Sequence, residues 1–177
     1  MKNSILPILI FFAMQFSSLE LNAQKFRSLD KSPMDMAAFP GTYKISEKIV
    51  RVIYSRPQLK GRNLVNLAPA EKVWRTGANE AVEITFYKDV IFGGKELKAG
   101  TYSLFTIPSL DGDWTIIINK ARNVWGSYNY NKDQDVLRVS AKTTKTEENI
   151  EAFSMMFDKN MTLKMGWGNT IISVPIK

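Results

Sequence analysis

The sequence predicts an all-β fold: an antiparallel β-sandwich of the jelly-roll or immunoglobulin-like kind, with a small β-barrel as the alternative. Short segments alternate apolar and polar residues, and the stretches between them contain Gly, Pro, Asn and Asp, which are typical of turns. No long segment repeats its apolar residues every 3.6 positions, as an amphipathic helix would. Sandwiches and barrels share alternating strands and differ in whether the sheet edges close, so the pattern allows both. With 177 residues and 45% hydrophobic residues, the chain can bury the core of one domain.

The N-terminus has the pattern of a secretory signal peptide at residues 1–23. Lys2 precedes an apolar run from Ile5 to Phe16, and the small residue Ala23 suits the position before a cleavage site. The run is shorter than the roughly 20 residues that a membrane-spanning helix needs, so we expect no membrane insertion. Because the chain has no cysteine, attachment of a lipid through cysteine is excluded as well. The sequence therefore predicts an exported protein, periplasmic or extracellular, that is not lipid-anchored.

The first strands of the domain follow from alternation. Residues 24–41 contain Pro and Gly without any period and are predicted to form an N-terminal tail, which leaves residues 42–177 as a single β-sandwich domain. Strands are predicted at 49–55 and 82–86, where β-branched and aromatic residues recur at every second position. Between these strands, residues 63–70 are predicted to be an irregular crossing or a short helical turn.

The rest of the chain continues the same pattern. Gly93-Gly94 predicts a two-residue hairpin, because both central positions of a type I′ turn need a positive φ. Residues 101–107 and 114–119 predict a second hairpin, and residues 120–135 form a long segment without apolar alternation. The remaining strands are predicted at 136–142, 153–157, 161–165 and 170–176, with a polar linker at 143–149 and turns at 158–160 and 166–169.

Composition excludes several functional classes. The chain has neither cysteine nor histidine, which rules out disulfides, thiol and Ser-His nucleophiles, and zinc sites built from these residues. No metal site or cofactor is expected, since the short Asp pairs at 111–113 and 133–135 lack the full calcium-ligand series and are interpreted as turns. The net charge of +7 is spread along the chain, which favours solubility and argues against a nucleic-acid partner.

The turn at residues 73–80 is the main candidate site. Trp74, Arg75, Asn79 and Glu80 combine an indole, a guanidinium, an amide and a carboxylate, a set that can bind a small anionic or sugar-like molecule. The alternative is structural: Arg75 pairs with Glu80 across a tight turn while Trp74 fills the core. Glu80 is also the weak candidate for a catalytic acid or base.

Two further segments could contribute to the same site. The basic turn with Arg56, Lys60 and Arg62 would form an electropositive pocket if it folded beside the turn at 73–80, although it could equally be a solvated loop. The aromatic residues Trp125, Tyr128 and Tyr130 are predicted either to stack on a glycan or to fold back as a lid over the core. The predicted binding residues are therefore Arg56, Lys60, Arg62, Trp74, Arg75, Asn79, Glu80, Trp125, Tyr128 and Tyr130.

Three sequence blocks resemble the signature of a known family. They are VWRTGANEA at 73–81, AGTYSLFTIP at 99–108, and the pattern Trp125-Gly126-x-Tyr128-x-Tyr130. These blocks are similar to exported bacterial proteins catalogued as domain of unknown function 2911, over nearly the whole chain after the signal peptide. Residues 63–70 depart from the family pattern, which is usually richer in Gly and aromatic residues. The resemblance implies an exported, β-rich domain and no established activity.

The preferred hypothesis is a non-enzymatic small-ligand or glycan binding or accessory protein of the cell envelope. The predicted binding residues would form its site, with the three aromatic residues as one wall. A histidine-free hydrolase or lyase using Glu80 with Arg75 is the first alternative. A structural or interaction protein of the envelope, acting through its sheet surface, is the second. The sequence does not distinguish oligomeric states.

Overall fold

The fold is all-β, which confirms the predicted class. In the computed structural model, which describes residues 26–177, a seven-stranded antiparallel sheet of order β1-β2-β3-β6-β7-β8-β9 curls into a half-barrel, and β4 and β5 form a small second sheet. The predicted signal peptide, residues 1–23, lies outside the described residues. The strands are β1 Met34–Phe39, β2 Val50–Ser55, β3 Val82–Phe86, β4 Val90–Phe92, β5 Lys95–Leu97, β6 Gly100–Ile107, β7 Trp114–Asn119, β8 Asp135–Phe157 and β9 Thr162–Pro175.

Helical structure is short. One helical turn, α1, spans Leu64–Leu67, within the segment predicted to be a crossing or a short helical turn, and a 3₁₀ turn spans Lys132–Gln134. Within residues 26–177, no helix is long and apolar enough to cross a membrane.

The predicted tail at 24–41 is partly wrong, because it contains β1. Met34–Phe39 pairs with β2 along its whole length, from Met34 opposite Ser55 to Phe39 opposite Val50. An edge strand needs a partner on one side only and leaves many side chains in water, so its sequence lacks the apolar run of an interior strand. The structured domain therefore begins before residue 42.

The predicted linker at 143–149 and the predicted turn at 166–169 are also wrong, because both lie inside the long strands β8 and β9. Thr143 pairs with Ile172 and Lys145 with Thr170, and the register then shifts between Lys145 and Ile150. Such irregularities insert residues without ending the strand. A polar, exposed part of a strand has the same composition as a linker, so composition alone misassigns it.

The main core lies on one face of the curled sheet and is rich in aromatic residues. Trp74 stacks on Trp167 with ring centroids 5.6 Å apart, and it meets Trp114 and Phe153 edge to face at 6.3 and 5.5 Å. All four side chains are buried. Large aromatic rings bury the most apolar area per residue, so this cluster is a principal source of stability.

A smaller apolar cluster lies on the other face of the sheet. Along β6 and β7, Leu104 and Ile116 belong to the main core, whereas the alternating Phe105 and Ile117 belong to this second cluster. These outward apolar side chains need a cover, and Val124 and Tyr130 pack against them. The loop predicted at 120–135 therefore has a structural reason to fold onto the sheet.

Candidate functional site

The turn at 73–80 is built by backbone pairing at its start and unusual dihedral angles in its middle. The backbone amide of Trp74 donates to the carbonyl of Thr106 at 2.7 Å, and the amide of Thr106 donates back at 2.9 Å. Thr76 and Asn79 both adopt positive φ, at 61° and 59°. The Trp74 side chain is only 7% exposed and packs in the main core, so it supports the turn from below and does not face solvent.

Arg75 and Glu80 do not pair with each other. Arg75 is half-buried, and its Nε donates to the carbonyl of Gly77 at 3.3 Å. Glu80 is exposed and makes a backbone bridge to Trp125. Among the ion pairs of residues 26–177, neither side chain takes part in one. The structural alternative is therefore right about Trp74 and wrong about an ion pair across the turn.

The aromatic loop docks directly on this turn. The Gly126 amide donates to the Asn79 carbonyl at 2.9 Å, and the Ser127 hydroxyl donates to the Val73 carbonyl at 3.0 Å. As a result Trp125 and Tyr128 flank Arg75, Asn79 and Glu80, although the two segments are about 50 residues apart in sequence. We call these five residues, Arg75, Asn79, Glu80, Trp125 and Tyr128, the aromatic face.

Gly126 is the point at which the aromatic face is most tightly constrained. Its φ is +67°, in the left-handed region that favours glycine. A Cβ at this position would lie 2.6 Å from the Tyr128 ring and 3.4 Å from Nη1 of Arg75. The Tyr128 ring and the Arg75 guanidinium therefore both border the backbone of Gly126.

Tyr130 anchors the loop and does not face a ligand. Its hydroxyl is shared between the two carboxylate oxygens of Asp135, at 2.6 and 2.8 Å, and accepts a hydrogen bond from Nη2 of Arg138 at 2.7 Å. Burial and the neighbouring Asp135 carboxylate raise the pKa of Tyr130 to about 12. The ring packs edge to face on Phe105, with centroids 5.2 Å apart. Of the two predictions for this residue, folding back onto the sheet describes its position.

The basic turn does not form one cluster with Arg75. Arg56 donates to Asp35 at 3.0 Å and to the Ser154 hydroxyl at 2.8 Å, so it ties β1 to β8 across the opening of the half-barrel. The Lys60 backbone amide donates to the Glu151 carboxylate at 2.7 Å. Arg62 holds its own turn, with Nη2 donating to the Gln58 carbonyl at 2.7 Å. Arg56 and Arg62 therefore have separate structural roles, whereas the contact of Lys60 is made by its backbone amide.

A cavity of about 850 Å³ lies at one end of the half-barrel, and we call it the cleft. Buried Leu59, Ala68 and Trp114 contribute its apolar part, and α1 lies along one side. The polar residues that border it are Arg62, Asn63, Ser109, Asp111, Asp113, Thr143, Thr144, Lys145, Asn149, Glu151, Asn169 and Thr170. Arg62 is the single predicted binding residue that borders the cleft.

Most residues of the cleft are not among the predicted binding residues, because they come from segments that the sequence pattern assigns to a linker and a turn. Lys145 and Asn149 lie in the part of β8 that was assigned to a linker, and Asn169 lies in the part of β9 that was assigned to a turn. No local signal marks these residues as a site, because the polar, exposed part of a strand has the same composition as a linker.

The charges around the cleft nearly cancel. Two cations, Arg62 and Lys145, face three carboxylates, Asp111, Asp113 and Glu151. Part of this set is already engaged, because Asp113 accepts the Thr143 amide at 2.9 Å and Lys145 donates to the Thr170 hydroxyl at 3.3 Å. In residues 26–177 no group of three or more acidic residues could hold a metal ion.

A second, smaller cavity of about 260 Å³ borders Glu80. Glu83 and Ser103 also line it, on the sheet face opposite the main core. Two carboxylates thus border this cavity, but Arg75, the predicted partner of Glu80 in a hydrolase or lyase, does not.

Comparison with known proteins identifies the family. No curated protein and no solved structure matches the chain. The model of one family, described as a protein of unknown function (DUF2911), matches residues 32–176. The match begins just before β1 and ends at the last residue but one, so it covers the half-barrel and both candidate regions. The chain therefore belongs to the DUF2911 family, as its sequence blocks predicted.

Proposed function

We propose that this protein is a non-enzymatic binding protein that takes a small, neutral, polyhydroxylated molecule of the sugar class into the cleft. The observation that carries the proposal is the cavity of about 850 Å³ with an apolar floor and a polar rim. Ligand sites typically occupy about 300–1,000 Å³ and combine an apolar lining with a few convergent polar groups. A mono- or disaccharide fits this volume.

The rim chemistry supports a neutral ligand over an anion. Asn149 offers an amide that both donates and accepts, and Asp111 offers a carboxylate acceptor, which together match the hydroxyl groups of a sugar. Because three carboxylates outnumber two cations, the cleft does not attract an anionic ligand by net charge. Of the two predicted ligand classes, sugar-like and anionic, we therefore favour the first.

Tryptophan fluorescence provides a direct test. Trp114 borders the cleft and touches Trp74, so a ligand in the cleft changes the surroundings of buried indoles. The probes are glucose, N-acetylglucosamine and cellobiose as neutral sugars, with glucuronate as the anionic comparison. Saturable binding of at least one neutral sugar, weaker binding of glucuronate, and a matching rise in thermal stability are expected.

Variants locate the binding. Lys145→Ala and Asn149→Ala each remove an exposed polar side chain from the rim and should weaken sugar binding by about tenfold, which corresponds to about 1.4 kcal/mol. Lys142→Ala is the matched control, because Lys142 is an exposed lysine of the same strand that does not border the cleft. Equal binding by all three variants, or no sugar binding by the unmodified protein, would contradict the proposal.

Export to the periplasm or the medium is part of the same proposal. It rests on the signal-peptide pattern of residues 1–23 and on the absence of cysteine for lipid attachment. Fractionation of the natural host, followed by mass analysis of the N-terminus, is the test. A chain that begins at Gln24 in the periplasmic or secreted fraction is expected, and a cytoplasmic chain that retains Met1 would contradict export.

A further inference from the structure

Two large aromatic side chains of the aromatic face are exposed without an evident role in folding. Trp125 is 60% exposed and Tyr128 is 79% exposed. Among the aromatic pairs of residues 26–177, neither ring packs on another. Folding normally buries such rings, so two of them held in water by an ordered loop call for a functional explanation.

The backbone beneath these rings is fixed by hydrogen bonds on both sides. Gly126 donates to Asn79, and on the other side of Trp125 the Ala81 amide donates to the Val124 carbonyl at 2.8 Å. The partly buried Tyr130 anchors the end of the same loop through Asp135. A fixed backbone lowers the entropy lost when the rings meet a ligand, which is the condition for an effective binding surface.

Hydrogen-bonding groups surround the rings. Arg75 uses Nε for the Gly77 carbonyl, which leaves its outer nitrogens to donate elsewhere. Glu80 supplies an exposed carboxylate, and the Asn79 amide lies 3.2 Å from the carboxylate of Asp30. The Ser32 amide and the Asn79 amide lower the pKa of Asp30, and the charge of Lys31 acts on the same carboxylate, so Glu80 and Asp30 are balanced by the cations Arg75 and Lys31. This balance does not favour a polyanion.

The exposed apolar area is small. Rings of about 150–250 Å² each, exposed to these fractions, offer roughly 300 Å² of apolar surface. A stable protein–protein interface buries about 800 Å² per partner. A ligand with a small footprint on each ring therefore matches the face better than a folded protein does.

We propose that the aromatic face binds a neutral polysaccharide, whose pyranose rings stack on Trp125 and Tyr128 while Arg75 and Glu80 bind its hydroxyl groups. The C–H face of a pyranose ring is apolar and flat, so it packs on an indole or a phenol ring, and the hydroxyl groups at its edge reach donors and acceptors beside the ring. An open surface accepts the middle of a long chain. This site is independent of the cleft and of the function proposed for it.

Retention on insoluble polymers tests the proposal. The probes are cellulose and chitin, which are neutral and consist of β-linked pyranose units. The unmodified protein should be retained by at least one of them, and Trp125→Ala and Tyr128→Ala should each lower the affinity about tenfold. Tyr43→Ala is the matched control, because Tyr43 is 90% exposed and lies outside the aromatic face.

The outcomes separate the two sites and the two kinds of partner. Asn149→Ala, which alters the cleft, should leave retention on the polymers unchanged, so failure at one site does not imply failure at the other. Thermal unfolding of each variant confirms that it is folded. Absence of retention on both polymers, or equal retention of all variants, would overturn the proposal. Concentration-dependent self-association that Trp125→Ala abolishes would overturn it in favour of a protein interface.

Discussion

The cleft and the aromatic face are built from the same sheet by different means. The cleft is an extension of the main core, because buried Trp114 and Leu59 contribute to its floor and long paired strands carry its rim. The aromatic face lies beside the smaller apolar cluster on the other surface, where a loop docks on a turn through a few backbone hydrogen bonds. The shape of the cleft should therefore depend on global stability, whereas the shape of the aromatic face should depend on local contacts.

Trp74 is the residue that connects the two regions, and Trp74→Ala has the largest expected effect. Its backbone begins the turn beneath the aromatic face, and its side chain stacks on Trp167 and touches Trp114 at the cleft. Truncation of a buried tryptophan should lower the free energy of unfolding by about 3–5 kcal/mol. Urea unfolding followed by circular dichroism measures this loss.

The same variant tests whether the cleft and the aromatic face both depend on Trp74. If Trp74 supports both regions, the variant should lose sugar binding in the cleft and polysaccharide binding at the aromatic face together, even under conditions in which it remains folded. Loss at the cleft with full retention on the polymers would show that the turn is held by its backbone pairing with Thr106 alone.

Tyr130→Phe has the next largest expected effect and acts on one region only. It removes hydrogen bonds to a charged partner, Asp135, which contribute about 2 kcal/mol, while Arg138 and Asn119 still satisfy that carboxylate. The loop that carries Trp125 should become more mobile, and hydrogen exchange at 124–130 should accelerate. The cleft should bind its ligand as before.

The pH dependence of stability provides a second measurement on Tyr130. Its pKa is raised to about 12 in the folded state, above the ordinary value of about 10 for an unfolded chain. Between these values the unfolded state has lost the proton and the folded state keeps it, so the free energy of unfolding falls as the pH rises from about 10 to about 12. Subtracting the curve of Tyr130→Phe from that of the unmodified protein isolates this contribution. Identical slopes in that window would contradict the hydrogen-bonded assignment.

Much of the fold was predictable because it depends on local patterns. The alternation of Trp114, Ile116 and Ile118 placed them on the core face, and Gly93-Gly94 identified a hairpin whose two φ values, 55° and 85°, are both positive. The strand at 143–149 was not predictable, because its polar side chains face water and its pairing is interrupted by register shifts.

The candidate site was predictable only in part, because proximity in sequence and proximity in space differ. The sequence chose Trp125 and Tyr128 as a wall beside Arg75, and the structure brings these segments together. It also grouped Arg56 with Arg75, although Arg56 is engaged between β1 and β8. The rim of the cleft comes from four separate segments, and no local pattern indicates that they meet.

Gly126→Ala has the smallest expected effect on stability, but it should separate the aromatic face from the cleft most clearly, because it should change binding at the aromatic face alone. The positive φ of this residue costs alanine about 1 kcal/mol. The new methyl group collides with the ring of Tyr128, but that ring is exposed and can rotate away, so the collision displaces the ring and adds little to the cost in stability.

Gly94→Ala is the matched control, because its φ is +85° and a Cβ there meets no atom within 4 Å. Both variants should unfold at similar urea concentrations, but only Gly126→Ala should lose retention on the polymers, and neither should change sugar binding in the cleft. Equal retention of the two glycine variants would mean that the position of the Tyr128 ring does not matter, and the aromatic face would then lose its role as a defined stacking surface.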